Sequence, residues 1–166
     1  MWNRNRSPSR LWLFCDGSTG LADYYGQSRT DPVLAQATCA AAAVARSNEG
    51  DLLDWAWQPL PSMTNNEAEY AGLILGLHLA RKLRAKEVVC ALDSDVVVGQ
   101  MEGRYAVHSP ALRPWHWRAC EAARGIQQVR YCHIPREWNR LADGMATQAG
   151  IPWAVLRGVV DDRVTG

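Results

Sequence analysis

Four acidic residues, Asp16, Glu69, Asp93 and Asp143, stand in settings where a carboxylate could do chemistry. Two of them end apolar runs. Leu11-Trp12-Leu13-Phe14-Cys15 is followed by Asp16-Gly17-Ser18, and Val88-Val89-Cys90-Ala91-Leu92 by Asp93-Ser94-Asp95. In open α/β sheets, reactive groups collect beyond the carboxyl ends of the strands, so the repeated pattern makes Asp16 and Asp93 expected neighbours. Glu69 falls in the first turns of a capped helix, where the positive end of the helix dipole favours an ionised carboxylate. Asp143 lies one turn inside a C-terminal helical pattern. Carboxylates gathered together repel one another unless cations neutralise them, and all-oxygen donor sets suit Mg²⁺ or Mn²⁺. Sites of that kind do phosphoryl chemistry.

Positioning these groups takes strands and helices that the chain spells out. Leu11 to Cys15 reads as a buried strand stopping at Asp16. Residues 20–32 are polar and rich in turn formers. The small-residue run Ala35 to Arg46 is ambiguous between strand and helix; strand is preferred, because Ser47-Asn48-Glu49-Gly50 and then Leu52 to Trp57 complete a hairpin. Thr64-Asn65-Asn66-Glu67 has capping-box spacing and opens a helix over Ala68 to Leu83. After the strand Val88 to Leu92 come a short helix (Val96 to Glu102), a helix from Trp115 to Arg124 and a strand from Val129 to Ile134. Asn139 is placed to cap a terminal helix whose apolar positions Leu141, Ala142, Met145, Ala146 and Ala149 recur at helical spacing. Three strands, then alternating helices and strands, predict an α/β domain with a mixed sheet in which helix-connected strands run parallel.

At 166 residues, 48% apolar and 21% charged, the chain suits one substantial core. The expected division is a basic flexible arm (1–10), a catalytic domain (11–150) and a tail (151–166). Net charge +1 does not announce a nucleic-acid binder, so such binding must come from local placement of charge. Five cysteines, with no CxxC pair, argue against a disulfide framework and a zinc knuckle and fit a cytoplasmic, reducing compartment. The basic arm is followed by only four apolar residues, too few for a signal peptide, and no apolar run is long enough to cross a bilayer. The tail carries Trp153, Val155, Leu156, Val159 and Val160 and is expected to pack back on the domain or meet a second chain. A monomer is the favoured state.

Asp16-Gly17-Ser18, Thr64-Asn65-Asn66-Glu67-Ala68-Glu69-Tyr70, Leu92-Asp93-Ser94 and His133-Ile134-Pro135-Arg136-Glu137-Trp138-Asn139-Arg140-Leu141-Ala142-Asp143, in this order and spacing, resemble the type 1 ribonuclease H family. The resemblance runs from about Leu11 to Gly150. It implies a ribonuclease H-like fold, a five-stranded mixed sheet in order 3-2-1-4-5 flanked by helices, with Asp16, Glu69, Asp93 and Asp143 as catalytic and metal-binding carboxylates. It further implies two Mg²⁺ or Mn²⁺ ions: Asp16 between them, Asp143 on the water-activating side, Glu69 and Asp93 on the leaving-group side. The activity implied is endonucleolytic cleavage of the RNA strand of RNA/DNA hybrids, giving 5′-phosphate and 3′-hydroxyl ends. Gly17, Ser18, Asn65, Asn66, Ser94, Arg136 and Asn139 become expected substrate contacts, and Thr64 both a helix cap and a phosphate contact. His133 resembles the family histidine that assists proton transfer or product release, a role for which Arg136 is a rival.

The chain departs from the family pattern in four places. The loop after Asp16 lacks the usual Gly-Asn-Pro-Gly-like turn; Asp95 replaces a common glutamine; Glu67 replaces a residue that is basic in some members; and the basic handle is absent, Val96 to Gln128 carrying only Arg104, Arg113, Arg118 and Arg124. Fewer phosphate contacts imply a shallower salt dependence. The Arg113-Pro114-Trp115-His116-Trp117-Arg118 stretch reads either as an aromatic and basic platform or as core packing. Handle-less relatives extend the substrate range to double-stranded RNA and RNA-DNA junctions. The alternatives are a catalytically weak or silent nucleic-acid-binding module and, on the same fold, an integrase, resolvase or exonuclease.

Overall fold

The computed structural model describes residues 8–19 and 39–139. Asp143, most of the expected basic arm, the expected loop over 20–32, the first residues of the Ala35 to Arg46 run, the expected terminal helix and the tail lie outside the described residues. Five strands, β1 (Arg10–Thr19), β2 (Cys39–Ser47), β3 (Leu52–Leu60), β4 (Glu87–Leu92) and β5 (Gln128–His133), form one mixed sheet in the order β3-β2-β1-β4-β5. Strands β1, β2 and β3 pair antiparallel, while β4 runs parallel to β1 and β5 parallel to β4. The helices are α1 (Asn65–Lys82), α2 (Asp95–Met101), α3 (Arg113–Ala123) and the short α4 (Arg136–Asn139).

Strand β1 is central, and its continuous apolar run reflects burial on both faces. Leu11, Leu13 and Cys15 join the large core with Tyr70, Leu73 and Leu77 of α1, whereas Trp12 and Phe14 pack with Val44, Val89, Ala91 and Ile134 on the other face. The alanines of β2 keep its helix-side surface low, with Ala43 and Ala45 buried in the α1 core. The β2–β3 turn closes on Ser47, whose Oγ accepts from the backbone N–H of Glu49 and Asp51, and Gly50 supplies the left-handed conformation (φ 95°) the turn needs. Pro59 sits on β3, an edge strand, where a missing N–H is tolerated.

The capping box forms as the spacing predicts. Thr64 Oγ1 accepts from the Glu67 N–H at 3.4 Å, and Glu67 Oε2 accepts from the Thr64 N–H at 2.8 Å. These bonds to Thr64 hold the Glu67 carboxyl below its usual range. Glu67 is therefore committed to the helix start. Ser94 caps α2, its Oγ accepting from the Val97 N–H at 3.3 Å. Pro114 occupies the first turn of α3, whose Ala119 and Ala122 are buried against the core. Trp115 packs on that core with the Arg118 guanidinium over its ring, and Trp117 is 63% exposed, so the aromatic stretch divides between both readings.

Helix and strand ends shift by a few residues from the expected bounds, and one shift bears on the site. Strand β1 does not stop at Asp16 but continues through Gly17 and Ser18 to Thr19. Its parallel pairing with β4 ends at Phe14–Ala91, but the antiparallel pairing with β2 runs on, matching Asp16 to Ala42 and Thr19 to Cys39. Backbone groups that still have a partner on one side stay extended. Asp16 thus lies where the strand leaves one neighbour, not where it ends.

Candidate active site

Asp16 and Asp93 each stand two residues past the last β1–β4 pair, Phe14 with Ala91. They are in register across two adjacent strands that have just separated. Glu69 arrives from the first turns of α1, which lies directly on β1. A Cβ on Gly17 would collide with the backbone of Ala68 and Glu69, and one on Gly72 with the carbonyl of Asp16. Glycine at both positions lets helix and strand touch backbone to backbone. Carboxylate oxygens of Asp16, Glu69 and Asp93 accordingly lie within 4.8 Å of one another.

This clustering has an electrostatic cost. Burial, followed by the negative charges of Asp16 and Asp93, pushes the Glu69 carboxyl up to about 9. Glu69 Oε2 is buried with no hydrogen-bond partner. An orphaned carboxylate oxygen among two further carboxylates fits a hard divalent cation, which would take oxygen ligands and remove the repulsion together.

The three acids line a cavity of about 570 Å³. Gly17, Ser18, Thr19, Asn65, Asn66 and Ser94 line it with them, as do Arg136 and Asn139 from α4. The Thr19 hydroxyl donates to Asn65 Oδ1, tying the end of β1 to the start of α1. Arg136 is the sole cationic side chain among the described lining residues. Of the expected substrate contacts, Gly17, Ser18, Asn65, Asn66, Ser94, Arg136 and Asn139 are thus brought together, while Thr64 caps α1 just outside the lining set. His133 ends β5, and its Nε2 lies 3.3 Å from the Asp93 carbonyl, beside the cluster but outside the cavity lining.

Asn139, expected to cap a helix and contact substrate, sits inside α4 and is only 2% exposed. Its Nδ2 donates to the Cys15 carbonyl at 2.8 Å and to Asp93 Oδ1 at 3.0 Å. Asp95 is turned to the side, accepting from the Tyr105 hydroxyl at 2.8 Å and facing Arg104 at 3.7 Å. Sequence spacing alone carried no signal for either of these pairings.

The reverse transcriptase-like family matches residues 32–149. The chain is 38% identical over 108 residues to the Bifunctional protein Rv2228c of Mycobacterium tuberculosis, covering 65% of this chain and 30% of that protein. It therefore spans about a third of the length of this mycobacterial relative. The N-terminal RNase H domain of Rv2228c superposes with a TM-score of 0.68 at 31% identity, covering 81% of this chain and 88% of that domain. RNase H1 of the archaeon Halobacterium salinarum gives a TM-score of 0.67 at 27% identity, over 81% of this chain and 92% of the archaeal one. LC11-RNase H1 in complex with an RNA/DNA hybrid gives 0.65 at 25% identity, over 80% and 91% of the two chains. These proteins share the fold of this chain, which matches the reverse transcriptase-like family over most of its length and belongs to the type 1 ribonuclease H family.

Proposed function

We propose that this chain is a metal-dependent endoribonuclease that hydrolyses the RNA strand of RNA/DNA hybrids, leaving 5′-phosphate and 3′-hydroxyl ends. The Asp16–Glu69–Asp93 cluster carries the reading, since three cavity-lining carboxylates within 4.8 Å of one another can all be ionised only where cations offset their repulsion. The likeness to an RNase H1 crystallised with a hybrid supports the substrate class. Asp16, Glu69 and Asp93, with Asp143 as the fourth ligand, would hold two Mg²⁺ or Mn²⁺ ions. When bound, such ions neutralise charge on the phosphate oxygens and lower the pKa of an attacking water.

The remaining work belongs to side chains around the cavity. Arg136, the one cation among the described lining residues, binds the phosphate. Gly17, Ser18, Asn65 and Asn66, also lining the cavity, reach the minor groove, where the 2′-hydroxyl separates RNA from DNA. Thr64 and Ser94 add hydroxyls at two helix N-termini, where the backbone favours an anion. His133, beside Asp93, carries a proton as product leaves. All five cysteines are thiols with no disulfide among them, which suits a cytoplasmic compartment. Among the described residues no helix is long and apolar enough to cross a membrane.

The deciding experiment is cleavage of an end-labelled RNA/DNA hybrid beside duplex RNA, an RNA-DNA junction, duplex DNA and single-stranded RNA, in Mg²⁺, Mn²⁺ or EDTA. Metal-dependent cutting of the hybrid's RNA strand, abolished in Asp93→Asn, is the expected result. Binding of hybrid without cutting in either metal would make the chain a binding module instead.

A further inference from the structure

Among the described residues, Asn139 is the one buried polar residue that bonds both the end of β1 and the acid that follows β4. Its neighbours on the nitrogen side, the Cys15 carbonyl and Asp93 Oδ1, are both acceptors, which fixes the amide with Nδ2 toward them. Cys15 directly precedes Asp16 and lies one residue past the last β1–β4 pair. There the sheet no longer links the two strands, and the Asn139 amide links them instead. A neutral amide does so without adding a further negative charge to a cluster that already strains to hold three. The same side chain lines the cavity, and its Oδ1 is buried with no partner.

We infer that Asn139 is a positioning residue that clamps the Asp93 carboxylate to the end of β1, holding it in register with Asp16 for a divalent cation. Resting on the ribonuclease reading proposed above, this moves Asn139 from the set of substrate contacts to the scaffold of the metal ligands. The donor pair matters more than the volume it fills. An Asp93 released from Nδ2 turns toward water and leaves Asp16 and Glu69 without their third neighbour.

Partners that orient a metal ligand are worth about 10- to 100-fold in metal affinity. The test is calorimetric titration of Mn²⁺ alone into wild type, Asn139→Ala and the similarly sized Asn139→Leu, without nucleic acid, followed by hybrid cleavage kinetics on the same proteins. The clamp predicts Mn²⁺ affinity about 10-fold or more weaker in both variants, with kcat falling and KM for the hybrid within about 2-fold. Unchanged Mn²⁺ affinity with a raised KM would overturn it and return Asn139 to the substrate contacts. Asn139→Leu preserves packing, so a folded variant is in hand if Asn139→Ala melts early. Should the wild type bind Mn²⁺ but cut nothing, the ribonuclease reading falls, while the metal affinities still decide the clamp.

Discussion

The Tyr105 hydroxyl donates to the Asp95 carboxylate at 2.8 Å, with the Tyr105 ring laid on Gly99 of the same short helix. Arg104 stacks 5.0 Å over that ring and faces Asp95 from the other side. The extra carboxylate after Asp93-Ser94 is therefore occupied at the N-terminus of α2 and turned from the cavity. Asp95→Asn should keep hybrid cleavage within about 3-fold of wild type and cost about 1 kcal/mol or less, the range of exposed pairs and helix-terminal charges. Steady-state kinetics and urea unfolding check both, and a loss beyond about 10-fold in kcat would place Asp95 in the reaction.

Glu69 sets the pH behaviour of the metal-free protein. Its folded pKa, pushed up to about 9 from 4.5, means the native state holds a proton that the unfolded chain releases. Metal-free stability should fall as pH rises between those two values. Glu69→Gln should remove this dependence and raise the metal-free Tm at pH 8, while lowering kcat by about 100-fold or more, as expected when a ligand to the catalytic ions is lost. Melting curves from pH 5 to pH 9, with EDTA or Mg²⁺, supply the comparison. A metal-free Tm flat across that range would contradict it.

Gly72 should be among the least replaceable residues of α1. A methyl group there meets the backbone carbonyl of Asp16, which cannot step aside without opening β1 from β2. Gly72→Ala should destabilise by about 1–3 kcal/mol through overpacking and also lower kcat, because the helix that carries Glu69 is pushed off the strand that carries Asp16. Gly103 is the control: its φ of 75° gives it strain on substitution, but nothing surrounds it. Gly103→Ala should cost about 1 kcal/mol and leave kcat unchanged.

Arg136→Ala tests the cavity's cation. KM for the hybrid should rise several-fold, and the slope of log binding constant against log salt should shrink by about one, the loss of a single phosphate contact. Filter binding in EDTA from low to moderate salt reads the slope without cleavage. An unchanged slope would mean that Arg136 does not reach phosphate.

Much of the scaffold was legible because the relevant signals are local. An apolar run with a carboxylate after it, written twice, located β1, β4 and two acids; Thr64 and Glu67, three residues apart, located the start of α1 and with it Glu69. The length of β1 was not legible, since Asp16-Gly17-Ser18 is turn-like by itself and stays extended only because β2 continues beside it. The partners of Asn139 and Asp95 were hidden for the same reason. Both depend on contacts that tertiary folding creates, across 46 and 124 residues in the first case and across a loop in the second. Asp143 rests on its motif.

The bond from Asn139 to the Cys15 carbonyl joins positions 124 residues apart. Strand β1 precedes β4, β5 and α4 in the chain, yet its acid meets its full setting only after they have followed. Within this fold the carboxylates of β1 and α1 are in the chain long before the segment that braces them, so the arrangement is completed only when the last described helix docks.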